Sequence, residues 1–448
     1  MKAIRIIFAA LFIIICCIPV FTMPFFADNS TAEKRQDTVA PSITLEDGSF
    51  NWEYPTLLDS YLSDHFAFRT PAVTLASILK AELGTSNQEK VVVGDEDWLF
   101  FGETLDDFLV KNQLSDYDIS RLAKVVSLMN EYVVANGGKF VFTAAPNKNS
   151  IYGEYMPYYY SPYQLEKSKK TNLDKLTDIL GGEDYYLDLK SALINNTDKG
   201  LLYHKRDSHW NNLGASIAFA EISKKLGLDV TDYSALDYEI KNNWRGDLDN
   251  MIFPALNIMD DNVTFDKEYT FKYGPKYKTP EDLLISTKGE GKNGSLKVFR
   301  DSFYNALLPF FAEEFEGAEF TRVLPYRITA TVEEGDYVIV EIAERNLKNL
   351  LAEAPVMTAP KREYGDLEKI EGVEIICEKS GKLSHIYGVL DERVDATRLA
   401  VGITVDGNTR FFEPFPIYEE KLGGEGNGFS LYLEALPEDA EISVYITK

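Results

Sequence analysis

The apolar run from Ile6 to Phe26, broken only by Pro19, Thr22 and Pro24, has no counterpart in the rest of the chain. As a helix its 21 residues span about 31 Å, one hydrocarbon thickness. Residues 28–50 lose all apolar period and read as a flexible linker. From Asn51 to about Gly84 the spacing is helical, and VVVGDEDWLFF (91–101) reads as strand, turn at Gly94-Asp95, and strand. Alternation follows. Residues 118–134 place Ile119, Leu122, Val125, Val126, Met129 and Val133 on one helical face, and KFVFTAA (139–145) follows as a buried strand. Residues 162–180 predict a helix, 184–189 a strand, 215–227 a helix, 296–299 a strand leading into a helix at 303–315, 336–343 a strand and 344–352 a helix. Strands alternating with helices predict an α/β fold with a doubly wound, mainly parallel sheet, its functional groups at the carboxyl ends of strands. After Pro360 short segments alternate apolar and polar residues between turns, predicting a small all-β sandwich-like domain. The expected organisation is a membrane segment (1–27), a linker (28–50), an α/β domain (51–358) and a β domain (361–448).

Charge narrows the function classes. The chain has 46 Lys+Arg against 71 Asp+Glu, a net charge of −25. Lys2 and Arg5 are the only charges in the first 25 residues, so the remainder carries 44 against 71, or −27. Such a body repels phosphate backbones and anionic leaflets, which excludes nucleic acid and peripheral lipid binding. The two N-terminal positives stay inside and put the body outside the cytoplasm. A cleaved signal peptide and a retained single-pass anchor both fit the start. Phe25 and Phe26 before Ala27 suit signal peptidase poorly, which favours the anchor. Cys16 and Cys17 lie in the apolar run and Cys377 alone in the body, where it reads as a small buried hydrophobe. No Cys/His cluster has metal spacing and no cofactor motif is present, so none is expected.

Four histidines make the search for a base short. His209 follows Asp207 by two residues, close enough for a carboxylate to fix an imidazole tautomer; a surface turn capping a helix explains the same spacing. Ser302 follows a buried strand and precedes a helix, where a hydroxyl can stand at a sheet edge beside helix-start N–H groups. The plainer alternative is that Asp301 or Ser302 caps that helix.

Together these motifs resemble the DHHW family and the related alginate O-acetyltransferases (AlgX- and AlgJ-like) of the SGNH hydrolase superfamily. The resemblance rests on Asp207-Ser208-His209-Trp210, with Ser in place of the second residue of the namesake motif, and on Asp301-Ser302 after a strand. SDHFAFRT (63–70), VVVGDEDWLFF (91–101), PNKNSIYGEYMP (146–157), WRGDLDNM (244–251) and DYVIVEIAERNL (336–347) look alike too, so it covers roughly residues 51–355. It implies Ser302 as nucleophile, His209 as general base and Asp207 as its orienting residue. It also implies acetyl transfer through an acyl-serine to a cell-envelope or secreted polysaccharide, with a multispanning membrane acyltransferase as acetyl donor. An acetylesterase would use the same triad, and a non-catalytic glycan-binding scaffold would use none of it. For the oxyanion and substrate, the expected groups are the Ser302 N–H, Asn147 (or a mere turn residue), Arg300 (or a salt bridge) and Trp210. His65 reads as a packing residue, His204 as a hydrogen-bonding neighbour of the site, and MPYYYSPY (156–163) as a sugar-stacking or a packed loop. The C-terminal strands either bind polymer or cover one face of the α/β domain.

Overall fold

A computed structural model describes residues 2–26, 38–111, 113–160, 169–391, 394–417, 427–434, 436–437 and 439–447. Most of the expected linker, and part of the helix expected at 162–180, lie outside these ranges. The N-terminal helix is Lys2–Phe26, and its stretch Ile4–Met23 is long and apolar enough to cross a membrane. The helical region that follows divides into Tyr54–His65 and Arg69–Ala81, where Phe68 turns to a positive φ of 65°.

The central sheet has seven strands, in the order Tyr186–Leu187, Lys139–Ala145, Tyr337–Ala343, Asn293–Phe299, Phe315–Thr321, Leu284–Lys288 and Lys272–Tyr273. The first five run parallel, and the last two pairings are antiparallel. The sheet is therefore mixed. Strand alternation sorts residues to its two faces. Val141 and Ile339 join a core with the helices Asn212–Leu226 and Leu308–Glu314. Phe140, Phe142, Val338 and Val340 join another with the helices Asp116–Ala135 and Asn172–Leu180. Burial on both faces is why these strands read as continuous apolar runs.

Several expectations change. The helix expected at 303–315 is a 3-10 turn, Phe303–Asn305, followed by a helix only from Leu308, where Pro309 sits in the first turn. Proline cannot donate an N–H, so a helix starts there more readily than it continues through. Residues from Phe315 form a strand instead. The helix expected at 344–352 is also broken, into Glu344–Asn346 and Asn349–Ala352.

The C-terminal strands form two antiparallel sheets, of five and four strands, whose facing residues Ile386, Phe429, Leu431, Val401, Ile403 and Val444 share one core. Phe415 and Ile417 do not join it; they pack into the core beneath the helix Asp116–Ala135. Arg121 on that helix donates to the Ile417 carbonyl, and the Tyr117 hydroxyl donates to Asn427 and accepts from the Ala396 N–H. Cys377, expected to be buried, is exposed on its strand.

Candidate active site

Three loops converge at the carboxyl end of the sheet. The first leaves the Asn293–Phe299 strand and carries Ser302. Asp301 anchors it: one carboxylate oxygen accepts the Phe303 N–H at 2.9 Å, and the other accepts the Ala343 N–H at 2.6 Å from the neighbouring strand. Asp301 therefore does the capping. The Ser302 side chain caps nothing, and its Oγ lies 2.8 Å from His209 Nε2.

The second loop, residues 204–210, holds the candidate base, His209. His209 Nδ1 is 2.7 Å from Asp207 Oδ1, which also accepts the His209 backbone N–H at 2.9 Å. The other Asp207 oxygen accepts the Trp244 indole N–H and the Asp247 backbone N–H, each at 3.0 Å. The helix that follows is capped by Asn211, so Asp207 and His209 are not spent on that task. Buried Lys148 supports this loop from beneath, its ammonium donating to the carbonyls of His204, Lys205 and Asp207 at 3.0, 2.9 and 2.6 Å. Burial pulls Lys148 down to about 7, against the nearby carboxylates of Asp207 and Asp247.

The third loop is the WRGD turn. It leaves the strand Tyr238–Trp244, which pairs with Asp260–Phe265. Gly246 presses against the base loop so closely that a Cβ there would lie 2.0 Å from the Arg206 carbonyl oxygen and 2.9 Å from the Asp207 nitrogen. Asp247 completes the clamp, its carboxylate accepting from the Ser208 N–H and hydroxyl at 2.8 Å each.

The electrostatics fit a poised base. Burial works against a charged His209, but the Asp207 carboxylate beside it outweighs that and leaves the imidazole above its usual value. Burial would likewise raise Asp207, yet His209 and the donated N–H groups hold it far below the usual carboxylate range. Donor atoms of Asp207, His209 and Asp247 lie within 4.8 Å of one another, the spacing of a metal site. Both Asp207 oxygens and both Asp247 oxygens already accept protein N–H or O–H groups, which makes the set a poor cage for a cation.

Above Ser302 opens a pocket of about 750 Å³ lined by His209, Trp210, Trp244, Phe303, Glu281 and Arg322 among others. Trp210 is buried beneath it, its indole N–H donating to the Phe303 carbonyl at 2.9 Å. The other two expected substrate groups are not brought to it. Asn147 is buried, its side-chain N–H donating to Asp107 at 3.0 Å and its backbone N–H to Glu344. Arg300 is 1% exposed, its guanidinium donating to the carbonyls of Pro280, Asp282 and Asp301 and to Asn305. It braces the pocket rim from behind and makes neither the acceptor contact nor the salt bridge expected of it. His204 is buried with its ring stacked on Trp244, and His65 is buried with Nδ1 3.0 Å from the Tyr61 carbonyl. In the tyrosine-rich loop Tyr158 and Tyr159 are exposed, away from the pocket lining; residues 161–163 lie outside the described ranges.

Lys148, Trp244, Gly246 and Asp247 were not singled out by sequence reasoning, although they fall in the PNKN and WRGDLDNM stretches. Arg345, in the ERNL stretch, was also passed over: its guanidinium lies over the rings of Phe101 and Phe303 at 5.3 and 5.4 Å.

Residues 91–257 match the family model of the SGNH hydrolase-like domain, acetyltransferase AlgX, in keeping with the resemblance read from the sequence. That span holds Asp207, His209, Lys148 and Trp244; Ser302 lies beyond it. No curated protein matches the chain. Similar solved structures include a DHHW family protein from Eubacterium siraeum (18% identity, 50% of this chain and 85% of that one, TM-score 0.37). Bacillus cereus PatB1 with a sulfonyl adduct is 14% identical over 58% of this chain and 96% of that one, with a TM-score of 0.42. The O-acetyltransferase domain of Pseudomonas putida AlgJ is 17% identical over 57% and 92%, with a TM-score of 0.35.

Proposed function

We propose that this chain is an extracytoplasmic SGNH-type O-acetyltransferase that acetylates a cell-envelope or secreted polysaccharide through an acyl-Ser302 intermediate. The observation that carries the reading is the unbroken relay from Ser302 Oγ to His209 Nε2, 2.8 Å, and from His209 Nδ1 to Asp207, 2.7 Å, at the floor of an open pocket. The match of residues 91–257 to the acetyltransferase AlgX model supports the same reaction class.

In the proposed reaction His209 takes the Ser302 proton as Oγ attacks the acetyl carbonyl, and Asp207 stabilises the imidazolium. The imidazolium then protonates the departing donor oxygen. A sugar hydroxyl next gives its proton to His209 and attacks the acyl-serine; the acyl–Oγ bond then breaks and the imidazolium returns the proton to Ser302 Oγ. In this reading the Ser302 N–H, at the start of the 3-10 turn, would stabilise the oxyanion of each tetrahedral intermediate. The apolar helix Lys2–Phe26 would hold the body at the outer membrane face, where a multispanning acyltransferase could supply the acetyl group. Helices on both sheet faces support the doubly wound reading of residues 51–358, and the separate core of the C-terminal strands supports a second unit at 361–448.

The test is to treat the full chain with a sulfonyl fluoride and with p-nitrophenyl acetate. Mass spectrometry should find the label on Ser302, and Ser302→Ala should abolish both labelling and nitrophenolate release. Unchanged release in that variant would remove the triad assignment. Acetyl recovered on an added glycan marks a transferase, and free acetate alone marks an esterase.

A further inference from the structure

Trp244 meets the pocket differently from the other aromatic residues there. It is 40% exposed, whereas Trp210 and Phe303 are each 1% exposed. Two contacts hold its ring, and a strand irregularity precedes it. His204 stacks on one face with centroids 4.9 Å apart and planes 4° from parallel. The indole N–H donates to Asp207 at 3.0 Å, and the strand register shifts between Asn242 and Trp244. His204 covers one face of the ring, and Trp244 itself lines the pocket. A flat, immobile, half-open aromatic face loses little entropy when a pyranose ring with its axial hydrogens stacks on it.

The charges around that face are unbalanced. Among the described residues, the pocket lining holds the carboxylates of Asp207, Asp247 and Glu281 against one cation outside the histidines, Arg322. Arg322 is already paired with Glu281. Burial works against a charged form of the other lining histidine, His204, and holds it below its usual value in spite of Asp207 and Asp260. Among the described lining residues a ligand carboxylate would find Arg322 already neutralised by Glu281, and it would still face the carboxylates of Asp207 and Asp247 within a Debye length. The net charge of −25 adds to the repulsion on approach.

We infer that Trp244 is the platform of the acceptor subsite, and that the subsite takes an uncharged sugar ring and excludes uronates. This rests on the acyl-transfer reading of the pocket and narrows its acceptor. Because Trp244 also holds Asp207, the acceptor ring lies one residue from the base that must deprotonate it.

The test is a binding measurement on full-length Ser302→Ala protein, which cannot turn over. Chitotetraose, cellotetraose and tetramannuronate are titrated at low ionic strength and followed by saturation-transfer NMR. At least one neutral tetramer is expected to bind about tenfold or more tighter than tetramannuronate. Adding Trp244→Ala should weaken that binding by about tenfold, the worth of one aromatic stack, and Trp244→Phe should retain most of it. Equal or tighter tetramannuronate binding overturns the inference. So does failure of all three probes to bind, or equal binding by the Trp, Phe and Ala forms. Binding needs no Ser302 chemistry, so a failure here leaves the acyl-transfer reading standing. Loss of Ser302 labelling with sugar binding intact would instead remove only the catalytic reading.

Discussion

The Lys148 ammonium donates to the carbonyl of Asp207 at 2.6 Å, in the loop that carries His209. Two further carbonyls of the same loop, those of His204 and Lys205, close on the same nitrogen. Three backbone oxygens pointing at one buried cation make a rigid seat, because removing the cation leaves all of them desolvated and unpaired. Lys148→Met keeps the chain length and removes the donors. It should cost about 3 kcal/mol in denaturant unfolding and lower kcat by roughly 100-fold, through misplacement of His209. Full activity in this variant would show that the loop holds its own shape.

Asp207→Asn tests orientation against charge. The amide keeps the size of the side chain but can donate to Nδ1, which stabilises the wrong tautomer and spoils Nε2 as an acceptor of the Ser302 proton. Nitrophenolate release should fall by about 10³-fold or more, with KM little changed. A loss under tenfold would mean that Asp207 is only a structural acceptor for Trp244 and Asp247.

The rate should depend on pH in a direction set by His209. Only the neutral imidazole can accept the Ser302 proton, and Asp207 holds its protonation above the usual value near 6.5. The rate of acyl-enzyme formation should therefore climb through an apparent pKa above 6.5. In Asp207→Asn the limb should move down, because the raising carboxylate is gone and the opposing burial remains. Stability follows the same linkage. The His209 contribution is present below its unfolded value and fades as pH rises through the folded one, so Asp207→Asn should cost more stability at pH 6 than at pH 9. An acid limb unmoved by the substitution would detach His209 from the observed pKa.

Gly246→Ala probes how tightly the WRGD turn is pressed on the base loop. A methyl 2.0 Å from the Arg206 oxygen cannot be accommodated without moving backbone on one side. The expected result is a loss of about 1–3 kcal/mol and a fall in kcat of roughly 100-fold, with Ser302 still present but poorly activated. Wild-type kinetics would place slack where the structure has none.

Much of the sheet was legible because its central strands are buried on both faces, so KFVFTAA and DYVIVEIA stand out as apolar runs. The strand Phe315–Thr321 was not. Its sequence FEGAEFT carries two glutamates and a glycine, and it follows a helix without a turn signal. In the candidate site, the Asp207-x-His209 spacing and the place of Ser302 after a buried strand were visible in the sequence, but a cap or turn fitted each equally, and their roles came from the family resemblance. Trp244 and Lys148 were missed because their roles arise only from contacts 37 and 59 residues away in sequence. Asn147 and Arg300 were placed at the correct strand ends, but which way a side chain turns there depends on Asp107, Asn305 and the carbonyls of residues 280–282.

Phe415 and Ile417 complete the core beneath the helix Asp116–Ala135. A chain shortened to end near residue 358 would lose these two plugs and leave the buried Arg121 guanidinium without the Ile417 carbonyl. The shortened form should be sticky and poorly soluble, and proteases should find the 116–135 helix readily. Anyone shortening this protein for crystallisation or assay should trim at the N-terminal side and keep the tail.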